Sequence, residues 1–233
     1  MGVVGADREL VETVRSTLAG AGDPERAATQ RAYTKSALPF HGIAAPELRR
    51  LLRPLLATYL PIDRDPWEAT VRELWDGATH REERYAAIAL ARHRSARPWQ
   101  DPAALDLYRH LVVTGAWWDL VDEIAAHLVG GVLAGHRDAV TPVMRAWSRD
   151  DDLWVRRTAV LSQVRHRDAT DRALLHDVVA ANVADPSFWL RKAIGWALRE
   201  LARTDSDWVR DEVDRLGPAL SGLSRREALR HLT

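Results

Sequence analysis

The chain has no cysteine among its 233 residues. That excludes disulfides, thiolate metal sites, iron–sulfur clusters and a cysteine nucleophile. It also has no net charge, because 33 basic residues balance 33 acidic ones. A nucleic-acid-binding domain is more commonly basic, so overall charge gives that class no support. Long apolar runs are missing too. The N-terminal region has nothing like the apolar core of a signal peptide, and no later stretch reaches the roughly 18 apolar residues of a membrane span. A soluble, cytoplasmic protein is expected. Lysine is nearly absent: Lys35 and Lys192 are the only two, and arginine, which suits bidentate phosphate contacts, carries the remaining positive charge. There is no phosphate-cradling glycine loop, no HExxH and no GxSxG. The nine histidines are scattered, with no pair three or four apart as helical metal ligands would be. His41, His80, His127 and His166 therefore read as surface or cap residues, and neither a metal nor a cofactor is expected.

What is present is Ala, Leu and Arg in helical periodicity, with Gly and Pro gathered at segment ends. The pattern predicts helices over 7–19, 24–36, 46–59, 66–76, 80–94, 101–113, 117–133, 137–147, 153–165, 170–183, 187–203, 206–216 and 223–231. Asp-Pro pairs at 23–24, 65–66, 101–102 and 185–186 suit helix starts, since Asp caps and Pro fits the first turn. No alternating strand pattern and no low-complexity linker appears. Three segments align at offsets of 35: WDLVDEIAAHLV from 118, LWVRRTAVLSQV from 153 and FWLRKAIGWALR from 188. Leu120, Val155 and Leu190 fall in phase, as do Ile124, Ala159 and Ile194, giving each segment the same buried stripe. Such a period fits HEAT-like helix pairs. The expectation is an all-α, right-handed superhelical solenoid with a concave face, residues 1–233 forming a single domain of about six pairs.

The same register aligns Asp122, Arg157 and Lys192, with Trp118 four residues before the first and Trp196 four after the last. Residues four apart share a helix face, and residues one period apart share a surface of a repeat stack. On the helix near 117, Trp117, Val121, Ile124 and Leu128 read as core, leaving Trp118 to look outward with Asp122. On the helix near 190, Trp189, Ala193, Ala197 and Leu201 form the apolar stripe. Lys192, Trp196, Arg199 and Arg203 form a basic one, and an indole among cations is placed to meet a ligand. Arg157 shares its stripe with Leu161 and Val164, so the pattern leaves open whether it is buried, free, or paired to Asp122 or to the Asp150–Asp152 run. Ser224 to Glu227 form a capping-box pattern, whose arginines could also take a phosphate.

These residues resemble the AlkD-type DNA alkylation repair proteins, bacterial DNA glycosylases built from HEAT-like repeats. The likeness is carried by AYTK at 32–35, PFHGI at 39–43 followed by Pro46 and Arg49, and RELWD at 72–76. It continues through TGAWWDLVD at 114–122, WVRRTAV at 154–160, KAIGWALRE at 192–200 and LSRREAL at 223–229. It spans nearly the whole chain in order. Thr158 stands where a small apolar residue is usual. The resemblance implies that Asp122 is the catalytic carboxylate, that Trp118 and Trp196 flank the lesion-bearing nucleotide, and that Arg157 contacts the DNA backbone. It adds Tyr33 as a candidate for the cleft, and Lys35, Arg156, Lys192, Arg199, Arg225 and Arg226 are the other DNA-binding candidates. The partner it implies is duplex DNA containing N3- or N7-alkylated purines, engaged by a monomeric protein without cofactor. The alternative is a non-catalytic HEAT-like module that binds structured DNA or a protein.

Overall fold

The computed structural model describes residues 5–232, which form fourteen α-helices and no strand. No helix among them is long and apolar enough to cross a membrane. The chain divides into two compact units, Met1–Trp99 and Gln100–Thr233. The first contains α1 (Arg8–Gly20), α2 (Pro24–Thr34), α3 (Ala45–Thr58), α4 (Arg64–Asp76) and α5 (Arg81–Ala91). The second contains α6 (Leu105–Gly115), α7 (Trp118–Glu123), a π-helical stretch Ile124–Val129 and α8 (Gly130–Gly135). It continues with α9 (Arg137–Trp147), α10 (Leu153–Leu161), α11 (Arg172–Ala180), α12 (Phe188–Ala202), α13 (Ser206–Leu216) and α14 (Gly222–Ala228).

In the first unit the side chains of Val14, Leu18, Trp67, Val71, Leu74, Trp75 and Leu90 are buried at helical spacing on α1, α4 and α5. Asp7 and Asp23 cap α1 and α2, accepting from the amides of Leu10 and Arg26 at 2.9 and 3.0 Å. The loop at 39–43 is pinned by Glu82, a fully buried carboxylate of α5. It accepts from the amides of His41 and Gly42 at 2.9 Å and of Ile43 at 3.1 Å. Gly42 has φ +91°, and a Cβ there would lie 2.0 Å from the Asp23 carbonyl oxygen, so only glycine fits.

The second unit displays the repeat. Leu120, Val155, Leu190, Ile124, Ala159 and Ile194 are all at most 1% exposed, and α10 packs against both α7 and α12. Polar links also recur about one repeat apart. Arg145 of α9 pairs with Asp177 of α11 at 2.7 Å, and Arg172 of α11 pairs with Asp205 before α13 at 2.6 Å. The buried Asn182 amide donates to the Ser148 carbonyl at 2.9 Å. The π stretch begins two residues after Asp122, and its last bond runs from the Gly130 amide to the Ala125 carbonyl. A Cβ at Gly130 would lie 2.5 Å from the Ser162 carbonyl oxygen, so glycine lets this helix lie against the end of α10.

Local expectations differ from the structure at several helix starts. Helix α4 begins at Arg64, before Asp65-Pro66, because Pro66 is accommodated in the first turn where its missing N–H has no helical acceptor. Helix α12 is capped by Ser187, which accepts from Trp189 N at 3.2 Å; Asp185 instead accepts from Ser187 N at 2.7 Å. Asp101 caps only a short 3-10 turn, Pro102–Ala104, ahead of α6. Helix α14 is capped by Ser221 rather than Ser224, since it begins two residues before Ser224, whose buried hydroxyl donates to the Arg191 carbonyl at 2.8 Å.

Candidate active site

One cavity of about 330 Å³ in the second unit is walled from four helices. Helix α7 contributes Trp118 and Asp122, and α10 contributes Arg157. Helix α12 adds Phe188, Trp189, Lys192, Trp196 and Arg199, while Glu227 comes from α14 and Arg230 from just beyond it. The residues at 122, 157 and 192 thus line a single space, as their common phase requires.

Asp122 and Arg157 form a bidentate pair. Arg157 Nε donates to Oδ1 at 2.8 Å and Nη2 donates to Oδ2 at 2.9 Å. Arg157 Nη1 donates to the Trp189 carbonyl, and the guanidinium carbon lies 6.0 Å from the Trp189 ring centroid. The Arg157 side chain is 5% exposed and that of Asp122 17%. A forked pair fixes the plane of the carboxylate as well as its position. Burial raises the Asp122 pKa above the ordinary carboxylate value. The hydrogen bonds and charge of Arg157 oppose that rise, and Asp119 and Glu123 add to it. An anion kept in place against its own desolvation is stabilised by any positive charge that develops beside it.

The other wall is a cationic cluster around one acid. Lys192 Nζ lies 2.9 Å from Glu227 Oε1, and Arg199 Nη1 donates to Oε2 at 2.6 Å. Lys192 by hydrogen bonding and charge, then Arg199 and Arg230, hold the Glu227 carboxyl below its ordinary pKa, against a smaller desolvation effect. Glycine makes this contact possible: a Cβ at Gly195 would lie 2.5 Å from Glu227 Cβ and 3.0 Å from the Ser224 carbonyl oxygen. Trp196 Nε1 donates to Glu200 Oε1 at 3.2 Å, which fixes the ring's azimuth while leaving it half-exposed.

The family profile described as "DNA alkylation repair enzyme" matches residues 14–232. The chain belongs to that family. A solved structure, "Predicted DNA alkylation repair enzyme from Enterococcus faecalis", is 30% identical with a TM-score of 0.82, covering 91% of this chain and 97% of its own. No curated protein sequence matches the chain.

In this DNA alkylation repair family member, Trp118, Asp122, Arg157, Lys192, Trp196 and Arg199 line the one cavity. Other candidates lie elsewhere. Arg156 donates to the Asp150 and Asp151 carbonyls at 2.8 and 3.1 Å and to Asp185 at 3.0 Å. Arg225 donates to the Val213 and Gly217 carbonyls at 3.2 and 3.1 Å, closing the end of α13. Arg226 is exposed. In the first unit Tyr33 is 75% exposed, and Lys35 is exposed in the left-handed conformation that ends α2.

Four lining residues escape the sequence reading: Phe188, Trp189, Glu227 and Arg230. Trp189 is not core but a half-buried residue at the start of α12. It packs with Trp117 and Trp154 at centroid distances of 5.2 and 5.7 Å. Trp117 is likewise half-buried rather than core, with extended backbone (φ −155°, ψ 145°) immediately before α7. An apolar stripe carries no mark of where it overhangs a cavity rim, and both indoles sit at helix starts, where the stripe leaves the core.

Proposed function

We propose that this family member is a monofunctional DNA glycosylase that hydrolyses the N-glycosidic bond of cationic N3- or N7-alkylated purines in duplex DNA. The observation that carries the reading is Asp122, an oriented and largely desolvated carboxylate on the wall of an indole-lined, cation-rimmed cavity. An alkylated purine is already positively charged, so it departs as a neutral base when the C1′–N bond electrons leave with it. No acid is then needed, and a single carboxylate suffices where ordinary glycoside hydrolysis uses two. Asp122 stabilises the oxocarbenium-like charge that appears at C1′ and orients the water that attacks it. Trp118 and Trp196 pack against the sugar and exclude bulk water. Lys192, Arg199 and Arg230 offer positive charge to phosphates.

Arg157 takes a different role from the phosphate contact implied by the resemblance. Its Nε, Nη1 and Nη2 atoms all donate to protein acceptors. We assign it to positioning Asp122. The same proposal reads the helix pairs as HEAT-like repeats that act as a monomer on DNA. The test is to incubate the protein with methylated duplex DNA and measure free 7-methylguanine and 3-methyladenine by mass spectrometry. Release of either supports the reading. Binding to the DNA without release of either would leave a non-catalytic binding module.

A further inference from the structure

The first unit gathers donor atoms that the proposed reaction does not use. His41 lies in the loop pinned by Glu82, His80 directly precedes α5, and Glu83 is in the first turn of α5. The two imidazoles lie face to face, with ring centroids 3.7 Å apart and planes 11° from parallel. His41 Nε2 is 3.9 Å from Glu83 Oε1, and His80 Nδ1 is 3.7 Å from the same oxygen. All three donor atoms lie within 4.8 Å of one another.

Two features distinguish this cluster from an ordinary polar contact. The His41 side chain is only 10% exposed, and its Nε2 is buried with no hydrogen-bond partner. A buried nitrogen left unsatisfied costs about 1–3 kcal/mol, so its persistence calls for an occupant. Glu83, 2% exposed, is held by Arg15, whose Nε donates to Oε2 at 3.0 Å, while its Oε1 faces the histidines and accepts from the His80 amide at 3.1 Å and from Thr79 Oγ1 at 2.7 Å. Such outer contacts orient ligating carboxylates in metal sites.

We propose that His41 Nε2, His80 Nδ1 and Glu83 Oε1 bind a divalent first-row transition cation, with zinc as the type. The set is two imidazoles and a carboxylate, with water completing a tetrahedron. Metal–ligand bonds of about 2.1 Å place ligand atoms about 3.4 Å apart, so the contacts of His41 and His80 to Glu83, at 3.9 and 3.7 Å, close by about 0.5 and about 0.3 Å. The stacked rings hold their lone pairs side by side rather than convergent. His80, with its side chain 32% exposed, is the ring with room to turn toward the shared point. Thr79 Oγ1, which now lies 3.0 Å from His80 Nδ1, keeps its 2.7 Å bond to Glu83 Oε1 and so holds that oxygen in place. The ion would tie the 39–43 loop to the start of α5.

The test uses chelator-washed full-length protein titrated with zinc chloride by calorimetry, with thermal unfolding measured alongside. One equivalent bound, with a higher unfolding temperature, is the expected result. His80→Ala should weaken binding by at least about tenfold while the circular dichroism spectrum is unchanged, and His41→Ala should do the same if it folds. His136→Ala, at an exposed position, should bind as the unaltered protein does. A lack of stoichiometric zinc binding would overturn the proposal. So would stoichiometric binding that persists at full strength in His80→Ala. The readout is independent of base release, so it stands or falls apart from the proposed glycosylase activity.

Discussion

Replacing Arg157 by methionine separates a positioning role from a phosphate contact. The substitution keeps most of the apolar stem but removes three donors, two of them to Asp122 and one to the Trp189 carbonyl. Removing one partner of a buried ion pair costs about 3–5 kcal/mol, because the other charge remains without compensation. Asp122 retains 17% exposure, so the lower end, about 3 kcal/mol, applies. For a chain of this length each kcal/mol lowers the unfolding midpoint by about 2–4 °C, which gives a fall of roughly 6–12 °C.

The same change acts on Asp122 itself. Desolvation already raises its pKa, and Arg157 is the force that opposes the rise. Without Arg157 the pKa climbs further. In the proposed mechanism Asp122 acts in its ionised form, so activity should be lost as pH falls through the folded-state pKa, and this acid limb should move to higher pH in the variant. The stability consequence has the opposite sense. A carboxylate with a raised folded-state pKa binds its proton more tightly folded than unfolded, so this group's contribution to stability declines as pH rises between the two values. Arg157→Met should therefore lose less stability at acid pH than at neutral pH. Urea unfolding and single-turnover base release across pH measure both. DNA binding should keep its salt dependence, whereas loss of a phosphate contact would flatten the slope by about one unit. An unchanged midpoint and acid limb together with a flattened slope would refute the positioning role.

Glu227→Gln removes the acid that neutralises Lys192 and Arg199; duplex binding should tighten at low salt and its salt slope should steepen by about one unit, as fluorescence anisotropy would show. Gly195→Ala places a methyl group 2.5 Å from Glu227 Cβ, so α14 must shift, at a cost of about 1–3 kcal/mol read by urea unfolding. Glu82→Ala strands the amides of His41, Gly42 and Ile43 and should destabilise the protein by at least about 3 kcal/mol, seen as a lower unfolding midpoint.

The helices and the repeat were legible because caps, Pro positions and apolar spacing act within one segment. The 35-residue phase of Leu120, Val155 and Leu190 brought Asp122, Arg157 and Lys192 into the same cavity. What the sequence could not show depends on pairings between segments. Glu227 reads as part of a capping pattern, yet its partners lie on α12, reached only because Gly195 lets α14 come close. Arg157 sits on an apolar stripe, and its fate is decided by a carboxylate 35 residues away. Asp65 and Asp185 match a helix-start pattern, but Asp63 precedes α4 and Ser187 caps α12. His41 and His80 look unrelated at a separation of 39 residues, until the Glu82-pinned loop stacks one ring on the other.

The most direct test compares the protein with Asp122→Asn on the same methylated duplex, measuring binding and base release together. The substitution keeps size and one acceptor oxygen while removing the charge, so binding should be retained. Release should fall by at least about a hundredfold, the scale on which single oriented electrostatic groups act in catalysis. Undiminished release by the asparagine variant would contradict the assignment of Asp122 as the catalytic carboxylate.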